Sequence, residues 1–385
     1  MGSVKRLIVL GSTGSIGEST LSVVRAMRDA FTVVGLTCKR RRARLAQQAA
    51  EFRPEAVAIV DDGSPFSVDG LADLRVYWGA DGILRMIEET RADIVVNGIA
   101  GAPGLVPSMT VLRTGKDLAL ANKESLVMAG PLVLREASSC GRKVIPVDSE
   151  HAALFNTLRC HAAGEVAELI LTASGGAFRD LPVEQLPEVR FADALKHPTW
   201  SMGAKITVDS ASMANKGLEV IEAHRLFGIA LPRIRVLIHP QSLVHSLVRT
   251  IDGTLHIEAS TPDMRIPIQN ALTYPTTASN QVEWLELAGK GLTFFPVDGR
   301  KYRMLDLAYQ AAGRSGAYPI VYNAANEIAV DAFMQETIRF TGIPDVVEEA
   351  LSVAWSGNAS SIDEVVAIDG EARSRAAERV RSMKR

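Results

Sequence analysis

The segment Gly11-Ser12-Thr13-Gly14-Ser15-Ile16-Gly17 follows the apolar run Leu7–Leu10 near the start of the chain. Glycine permits a tight turn and lets backbone N–H groups approach an anion, and the N-terminus of a following helix adds a favourable dipole. The spacing is G-x-x-G-x-x-G, not the better known G-x-G-x-x-G, and glycine patterns also occur in plain tight turns. The strand–turn–helix context favours a dinucleotide-binding turn.

Short runs rich in Val, Ile, Leu and Ala alternate with segments of helical spacing through the first 150 residues. This alternation predicts an α/β fold with a Rossmann-like, doubly wound parallel sheet that is buried on both faces. The predicted strands are Leu7–Leu10, Thr32–Thr37, Ala56–Val60, Ile94–Asn97, Leu118–Ala121 and Val144–Val147. The predicted helices include Ser19–Arg28, Arg42–Phe52 and Gly82–Thr90.

The pattern changes after about residue 150. Strand-like runs at Val236–Ile238, Leu243–Thr250 and Thr254–Ala259, with Asp252-Gly253 as a hairpin turn, predict a second, α+β domain. From about residue 301 the composition is helical, which predicts a small C-terminal helical domain. The predicted domains are therefore 1–149 (cofactor-binding), 150–275 (α+β, catalytic) and 301–385 (helical), with a linker at 276–300.

Composition excludes several classes of protein. The 385 residues are 47% hydrophobic and 22% charged with a net charge of −2, which excludes a mainly disordered chain and gives no electrostatic footprint for nucleic acid. The apolar runs are far shorter than the roughly 20 residues of a membrane span, and the first is too short for a signal peptide. The three cysteines have no C-x-x-C spacing. We expect a cytoplasmic enzyme with no nucleic-acid or membrane partner.

A basic segment, Cys38-Lys39-Arg40-Arg41-Arg42-Ala43-Arg44, follows the second predicted strand. NAD-preferring sites place a carboxylate near this position to accept from the ribose hydroxyls, whereas this segment contains five cations and no carboxylate. Cations such as Lys39 and Arg40 would attract a 2′-phosphate, so NADP is favoured over NAD. The alternatives are a nucleic-acid patch and a solvated start of a helix.

An acidic segment, Asp148-Ser149-Glu150-His151, follows the strand Val144–Val147, and carboxylates spaced i, i+2 at a strand end can point to one side. Another carboxylate, Glu219, lies in a predicted helix with Asn215 and Lys216 on the same face. Three oxygen donors with no Cys or His beside them suit a hard cation, Mg²⁺ or Mn²⁺. The alternative is three solvated carboxylates, and spacing alone leaves both readings open.

Two further segments carry polar groups suited to a ligand. Ser174-Gly175-Gly176 follows a predicted strand and could expose N–H groups to a phosphate, although such a triplet is also common as a plain turn. Ser210, Asn215 and Lys216 offer hydroxyl, amide and ammonium donors of the kind that a phosphate needs. In the irregular stretch His197–Gly203, Trp200 could be a lid over a ligand or an anchor of the loop on the core.

These segments together are similar to the 1-deoxy-D-xylulose 5-phosphate reductoisomerase family, over essentially the whole chain. The resemblance implies NADPH- and divalent-metal-dependent isomerisation and reduction of 1-deoxy-D-xylulose 5-phosphate to 2-C-methyl-D-erythritol 4-phosphate, in non-mevalonate isoprenoid precursor biosynthesis. It also implies a homodimer. The segments that carry it are Gly11–Gly17, Ala121–Ser125, Val147–His151, Thr172–Phe178, His197–Gly203, Val208–Glu222 and Asn323–Glu327.

The resemblance also implies roles for individual residues. The metal ligands would be Asp148, Glu150 and Glu219, which with Lys123 form the catalytic set. Substrate contacts would come from Lys123, Ser149, Glu150, Ser174, His197, Trp200, Ser210, Asn215, Lys216 and Glu219. Cofactor contacts would come from Thr13, Gly14, Ser15, Ile16, Cys38, Lys39, Arg40, Asn122, Glu124, Gly203 and Met264. Trp200 and Met202 would belong to a flexible flap, with Gly203 and Met264 near the nicotinamide.

The chain departs from the family pattern at two places. Cys38-Lys39-Arg40 stands where the family often has Gly-Lys-Asn, which keeps the lysine and adds a cation, and the flap contains Thr199 where some members have Asn.

Two other functions are alternatives to the one that the resemblance implies. A plain NADP-dependent dehydrogenase would need a nucleophilic Cys or a catalytic His–acid pair, for which no strong candidate exists, and a catalytically silent NADPH-binding module would not need three carboxylates.

Overall fold

The computed structural model describes residues 4–61, 65–196, 203–355 and 357–383. The strands are β1 (Lys5–Leu10), β2 (Phe31–Cys38), β3 (Ala56–Ile59), β4 (Arg75–Trp78), β5 (Ile94–Asn97), β6 (Asp117–Leu120), β7 (Val144–Pro146), β8 (Val166–Ala173), β9 (Ile234–Ile238), β10 (Val244–Thr250) and β11 (Leu255–Ala259). The first seven α-helices are α1 (Ser15–Ala26), α2 (Arg42–Phe52), α3 (Gly79–Glu89), α4 (Leu105–Arg113), α5 (Lys123–Ser139), α6 (Ser149–Leu158) and α7 (Phe191–Ala194). The others are α8 (Ala204–Ser212), α9 (Ala214–Phe227), α10 (Arg265–Thr273), α11 (Arg303–Arg314), α12 (Tyr318–Met334), α13 (Gly342–Ser352) and α14 (Ile362–Met383).

Contacts within the chain group it into two compact units. The first unit comprises Met1–Ser125, Val133–Ala152 and Asp263–Glu283, and the second comprises Leu126–Leu132, Ala153–Pro262 and Trp284–Arg385. The first unit includes α10, which lies in contact with α1. The predicted division into 1–149, 150–275, 276–300 and 301–385 stays a proposal beside this two-unit grouping.

The first unit is built on a seven-stranded sheet with the order β4-β3-β2-β1-β5-β6-β7. Every neighbouring pair is parallel, and β1 lies between β2 and β5. The chain reverses its direction of winding beside β1, and ligands of open α/β sheets bind at the carboxyl ends of the strands that flank such a point. The side chains of Leu7–Leu10 are fully buried, as expected for a strand covered on both faces. The predicted Rossmann-like sheet is confirmed.

The second unit contains a four-stranded sheet with the order β11-β10-β8-β9. β8 is parallel to β9, whereas β10 is antiparallel to both of its neighbours. The predicted hairpin at Asp252-Gly253 joins β10 to β11: Gly253 has φ +89, and Asp252 accepts hydrogen bonds from the backbone N–H and the hydroxyl of Thr254. The predicted α+β sheet is therefore present, with β11 as an edge strand.

The predicted C-terminal helices are also present, as α11 to α14. Their core includes the buried side chains of Tyr322 and Phe333 on α12. Helix α12 contacts α8, α9, α11, α13 and α14, so the C-terminal helices support the two helices that follow residue 203. In the described part of 276–300, regular pairing is limited to a bridge between Ile238 and Phe295. None of the helices in the described residues is both long and apolar enough to cross a membrane.

Candidate active site

The glycine-rich turn joins β1 to α1 at the point where the sheet reverses. Gly11 has φ +72, and a Cβ atom on it would lie 2.9 Å from the carbonyl oxygen of Gly98, just beyond the end of β5. A Cβ atom on Gly17 would lie 2.3 Å from the carbonyl oxygen of Ser12, so the turn can fold against α1 only with glycine at this position. Helix α1 begins at Ser15 with an exposed first residue. Its N-terminal amides are therefore accessible to an anion.

A buried polar network, which was not predicted from the sequence, stabilises this turn. Gln48 on α2 is 1% exposed; its amide donates to the Ser12 carbonyl oxygen at 2.9 Å and to Glu18 at 2.9 Å. The Ser12 hydroxyl donates to the Gln48 side-chain oxygen at 2.7 Å, and the Gly11 N–H donates to the Thr37 hydroxyl at 2.7 Å. The turn is thus fixed by side chains of α2 and β2.

The basic segment that follows β2 is largely in water. Arg40 has a side chain that is 77% exposed and forms an ion pair with Asp61 at 2.9 Å. The segment itself contains no carboxylate, as its sequence shows, but Asp61, which follows the neighbouring strand β3, lies beside it. The Arg42 guanidinium lies 5.0 Å from the centre of the Trp78 ring, and Arg44 pairs with Glu18. Lys39 is exposed and has no ion pair among residues 4–61, 65–196, 203–355 and 357–383.

Four predicted cofactor residues of this unit are buried: Thr13, Cys38, Asn122 and Glu124. Cys38 ends β2 and is buried, and burial raises the pKa of its thiol to about 11, so the thiol stays protonated. The side chain of Asn122 donates to the carbonyl oxygens of Ile99 (2.7 Å) and Gly101 (2.8 Å), and Glu124 accepts from the Gly101 N–H at 3.2 Å. Asn122 and Glu124 therefore shape the loop that follows β5.

Lys123 and Asp148 form a buried ion pair in the first unit. Lys123 begins α5, and Asp148 lies between the end of β7 and the start of α6. Burial alone would raise the pKa of the Asp148 carboxyl, but Lys123 and His151 outweigh it and hold that pKa well below its usual range. Asp148 is therefore ionised and carries its charge in a site with little access to water.

Glu150 is placed by a helix rather than by a strand end. β7 stops at Pro146 and α6 begins at Ser149, so Glu150 lies in the first turn of α6. Carboxylate oxygens of Glu150 and Asp148 nevertheless lie within 4.8 Å of each other, so the two side chains point to one side, as the i, i+2 spacing predicts. The Ser149 hydroxyl donates to the Glu150 carboxylate at 2.6 Å, which orients that carboxylate.

In the second unit, α8 and α9 meet at a single residue, Met213, which is left-handed with φ +63. Ser210 lies in the last turn of α8. Both Asn215 and Lys216 donate hydrogen bonds to Glu219, as the helical spacing predicts. Glu219 is 1% exposed, so its charge is balanced by a lysine and an amide instead of water.

The turn Ser174-Gly175-Gly176 packs directly against Ser210. Gly176 has φ +69, and a Cβ atom on it would lie 2.6 Å from the Ser210 carbonyl oxygen and 2.6 Å from the Ala211 Cα atom. The Gly176 N–H donates to the Ser174 hydroxyl at 3.1 Å. The structure therefore brings Ser174 next to the α8–α9 corner that carries Ser210, Asn215, Lys216 and Glu219.

A buried aspartate on α8 was not predicted as part of the site. Asp209 accepts from the Asn326 amide on α12 at 2.9 Å and pairs with Lys205 at 2.9 Å. Asn326 is fully buried on α12 and belongs to Asn323–Glu327, one of the segments that carry the family resemblance. The pair joins the helix that carries Ser210 to the C-terminal helices.

The other predicted site residues lie near the ends of helices or outside the described part of the chain. Gly203 is exposed at the start of α8, and Met264 is half-buried immediately before α10. Thr13 is buried, Gly14 and Ser15 are exposed, and Ile16 is half-buried in the glycine-rich turn. His197, Trp200 and Met202 lie outside the described residues.

Sequence comparisons place this arrangement among known proteins. Residues 7–130 match the family described as 1-deoxy-D-xylulose 5-phosphate reductoisomerase, residues 144–227 match its C-terminal domain, and residues 259–375 match the DXP reductoisomerase C-terminal domain. The chain is 46% identical over 378 residues to the 1-deoxy-D-xylulose 5-phosphate reductoisomerase of Acaryochloris marina (strain MBIC 11017), covering 96% of this chain and 94% of that protein. It is 47% identical over 379 residues to that of Synechocystis sp. (strain ATCC 27184 / PCC 6803 / Kazusa), covering 96% of each.

Solved structures give the same result. A crystal structure of DOX-P reductoisomerase in complex with NADPH, fosmidomycin and magnesium has a TM-score of 0.90 at 36% identity and covers 98% of both chains. The 1-deoxy-D-xylulose 5-phosphate reductoisomerase of Zymomonas mobilis in complex with NADPH has a TM-score of 0.90 at 37% identity, covering 99% of this chain and 100% of that chain.

Proposed function

The chain belongs to the 1-deoxy-D-xylulose 5-phosphate reductoisomerase family, and from that membership we propose which of its residues carry the reaction. The activity is the NADPH- and divalent-metal-dependent isomerisation and reduction of 1-deoxy-D-xylulose 5-phosphate to 2-C-methyl-D-erythritol 4-phosphate, a step of non-mevalonate isoprenoid precursor biosynthesis. A plain NADP-dependent dehydrogenase and a catalytically silent NADPH-binding module are both disfavoured by this membership.

We assign the metal site to Asp148, Glu150 and Glu219. The donor set fits a hard cation because it consists of carboxylate oxygens alone. Two of the three carboxylates are nearly buried, and a bound cation would offset the cost of their desolvation. Bound Mg²⁺ or Mn²⁺ supplies Lewis-acid polarisation of a substrate carbonyl oxygen. Neighbouring side chains prepare two of these ligands: Ser149 orients the Glu150 carboxylate, and Lys123 keeps Asp148 ionised.

The glycine-rich turn and the basic segment are assigned to NADPH, which supplies the hydride. The accessible N-terminus of α1, with Thr13, Gly14, Ser15 and Ile16, suits the pyrophosphate. Lys39 and Arg40 suit the 2′-phosphate because both are exposed cations at the end of β2. The side chains of Cys38, Asn122 and Glu124 are buried, so we expect them to contribute to cofactor binding by fixing the backbone and the loop near the cofactor. We assign Gly203 and Met264 to the nicotinamide end.

The phosphate of the ketose is assigned to Ser174, Ser210, Asn215 and Lys216, with His197 and Trp200 as further contacts. The observation that carries this proposal is the packing of the Ser174 turn on the α8–α9 corner, which gathers hydroxyl, amide and ammonium donors around one buried carboxylate. Holding the phosphate there lets remote binding energy position the reacting carbons.

The proposed function has a direct test. Purified protein is mixed with 1-deoxy-D-xylulose 5-phosphate, NADPH and Mg²⁺, and the loss of NADPH absorbance is followed. We expect metal-dependent consumption that a chelator abolishes and excess Mg²⁺ restores. Consumption that survives the chelator would overturn the metal assignment, and NADPH binding without turnover would support the silent module.

We further propose that the protein is a homodimer in the cytoplasm. The edge strand β11 exposes Leu255 and Ile257 on one face, which is an apolar strip that a second copy of the chain would cover. All three cysteines are free, which fits a reducing compartment.

Sedimentation velocity tests the dimer. Ile257→Lys places a charge on the exposed strip, so we expect the species to shift from dimer to monomer at the same protein concentration. Val366→Lys, at an exposed position on α14, is the matched control and should leave the dimer intact. A dimer unchanged by Ile257→Lys would remove β11 from the interface.

A further inference from the structure

The hydroxyl of Tyr302 reaches the turn that carries Ser174. Tyr302 immediately precedes α11, is 3% exposed, and donates a hydrogen bond to the carbonyl oxygen of Gly175 at 2.9 Å. Burial raises the pKa of its phenol to about 12, so the hydroxyl keeps its proton at neutral pH. The hydroxyl can therefore donate to the Gly175 carbonyl oxygen throughout the neutral pH range.

That hydrogen bond determines the direction of the next N–H group. The carbonyl of Gly175 and the N–H of Gly176 belong to one planar trans peptide, in which the two groups point in opposite directions. The Gly176 N–H donates to the Ser174 hydroxyl oxygen at 3.1 Å. Tyr302 thus acts on Ser174 through a single rigid peptide plane.

The rest of the turn is held in the same way. Lys301 donates to the carbonyl oxygen of Arg179 at 2.6 Å, and Arg179 donates to the carbonyl oxygen of Ser174 at 3.1 Å. Gly175 and Gly176 both have positive φ. Because glycine adopts positive and negative φ with similar ease, these two residues could change conformation without the contacts that hold the turn. A hydroxyl that accepts from Gly176 uses its own hydrogen for another acceptor.

We propose that Tyr302 is a positioning residue for the substrate phosphate: by holding the Gly175–Gly176 peptide plane, it orients the Ser174 hydroxyl that donates to the phosphate. The inference rests on the proposed function in one respect, the assignment of Ser174 to the phosphate. In this proposal Tyr302 acts through the turn and makes no direct contact with the ligand. Its effect should therefore appear in the binding of phosphorylated ligands and not in the binding of NADPH.

The same unit supplies matched control residues. Tyr309 donates to the carbonyl oxygen of Ile234 at 2.8 Å, and burial raises the pKa of its phenol to about 12 as well. Tyr322 donates to the carbonyl oxygen of Met304 at 3.0 Å. Each of these hydroxyls makes one bond to a backbone carbonyl, as Tyr302 does, but neither reaches the Ser174 turn.

The experiment compares Tyr302→Phe, Tyr309→Phe and Ser174→Ala in the full-length enzyme with NADPH and Mg²⁺. We expect Tyr302→Phe to raise the KM for 1-deoxy-D-xylulose 5-phosphate and the inhibition constant of inorganic phosphate by about 3- to 10-fold, with the KM for NADPH unchanged. Tyr309→Phe should leave all three values within about twofold of the wild type. Melting temperatures of all variants report any general loss of stability.

A double-mutant cycle separates positioning from stability. If Tyr302 acts through Ser174, the double variant Ser174→Ala/Tyr302→Phe should be no worse than Ser174→Ala alone. Additive effects, or an equal rise in the KM for NADPH, would overturn the positioning role. If Ser174→Ala raises the KM and Tyr302→Phe does not, this inference fails while the proposed function stands. If neither raises it, the phosphate assignment of Ser174 itself fails.

Discussion

The cations of the basic segment Lys39–Arg44 and the two lysines of the acidic clusters differ in their surroundings. Lys39 and Arg40 are exposed, whereas Lys123 and Lys216 are buried and each forms an ion pair with a carboxylate, Asp148 and Glu219. Water screens the exposed cations, so each of these charges interacts only weakly with its neighbours, and its removal should change the stability of the protein little. The buried pairs have no such screening, and removal of one partner leaves the other charged without compensation.

This difference separates two kinds of charge in the same chain. In the proposed assignment, the exposed cations attract the 2′-phosphate of the cofactor. The buried ion pairs belong to the folded structure and, in the same proposal, to the metal site, so a change in them should alter stability or the charge around the metal. Substitutions of the exposed cations and substitutions in the buried pairs should therefore change different properties of the protein.

The largest effect is expected on the acidic side, for Glu150→Gln. This change keeps the shape and the hydrogen bond from Ser149 but removes the negative charge, so kcat should fall by at least ~10²-fold. The affinity for NADPH, measured by fluorescence titration, should stay within about twofold. Glu188→Gln, at an exposed position, serves as the control. A near wild-type rate in saturating Mg²⁺ would contradict the metal assignment.

The next effect concerns stability. Lys216→Met leaves the buried carboxylate of Glu219 without its cation, and removal of one partner of a buried pair costs about 3–5 kcal/mol. Urea denaturation should show an earlier transition for the second unit. Lys290→Met, at an exposed lysine, should show none. Adding Glu219→Leu to Lys216→Met should recover part of the loss, and a double variant less stable than Lys216→Met alone would show that the pair is not coupled.

The smallest effect is expected on the exposed side. Lys39→Ala removes one charge-assisted contact to the 2′-phosphate, so the dissociation constant of NADPH should rise about tenfold in low salt while that of NADH is unchanged. The increase should shrink as salt is added. Arg28→Ala, an exposed arginine elsewhere on the first unit, is the control. Equal weakening of NADPH and NADH would show that Lys39 does not contact the 2′-phosphate.

Most of the parallel sheet could be predicted from local sequence, because buried strands are short continuous apolar runs. β5 is predicted with the same bounds; β1, β3 and β7 differ by one or two residues at one end, and β2 and β6 differ by one residue at each end. The strand β4, Arg75–Trp78, was missed because it lies at the edge of the sheet and mixes a charged residue with aromatic ones. Helices α4 and α5, which are not among the helices named from the sequence, contain Pro107 and Pro131.

The site shows where sequence reasoning stops. The contacts of Asn215 and Lys216 with Glu219 follow from helical spacing, so they could be predicted from sequence separations of three and four residues. Gln48 beneath the glycine-rich turn and Asp61 beside Arg40 could not, since each meets its partner only through the pairing of neighbouring strands and their helices. Local periodicity contains no information about such contacts between distant segments.

The joint at Met213 has a consequence for the spacing of two proposed site residues in the second unit. One buried residue in a left-handed conformation separates α8 from α9, so no flexible loop lies between Ser210 and Glu219. The spacing of the two side chains is set by bond lengths and helix pitch and does not adapt to the ligand. Under the proposed assignment, the phosphate contact at Ser210 and the metal ligand Glu219 are therefore held at a fixed separation.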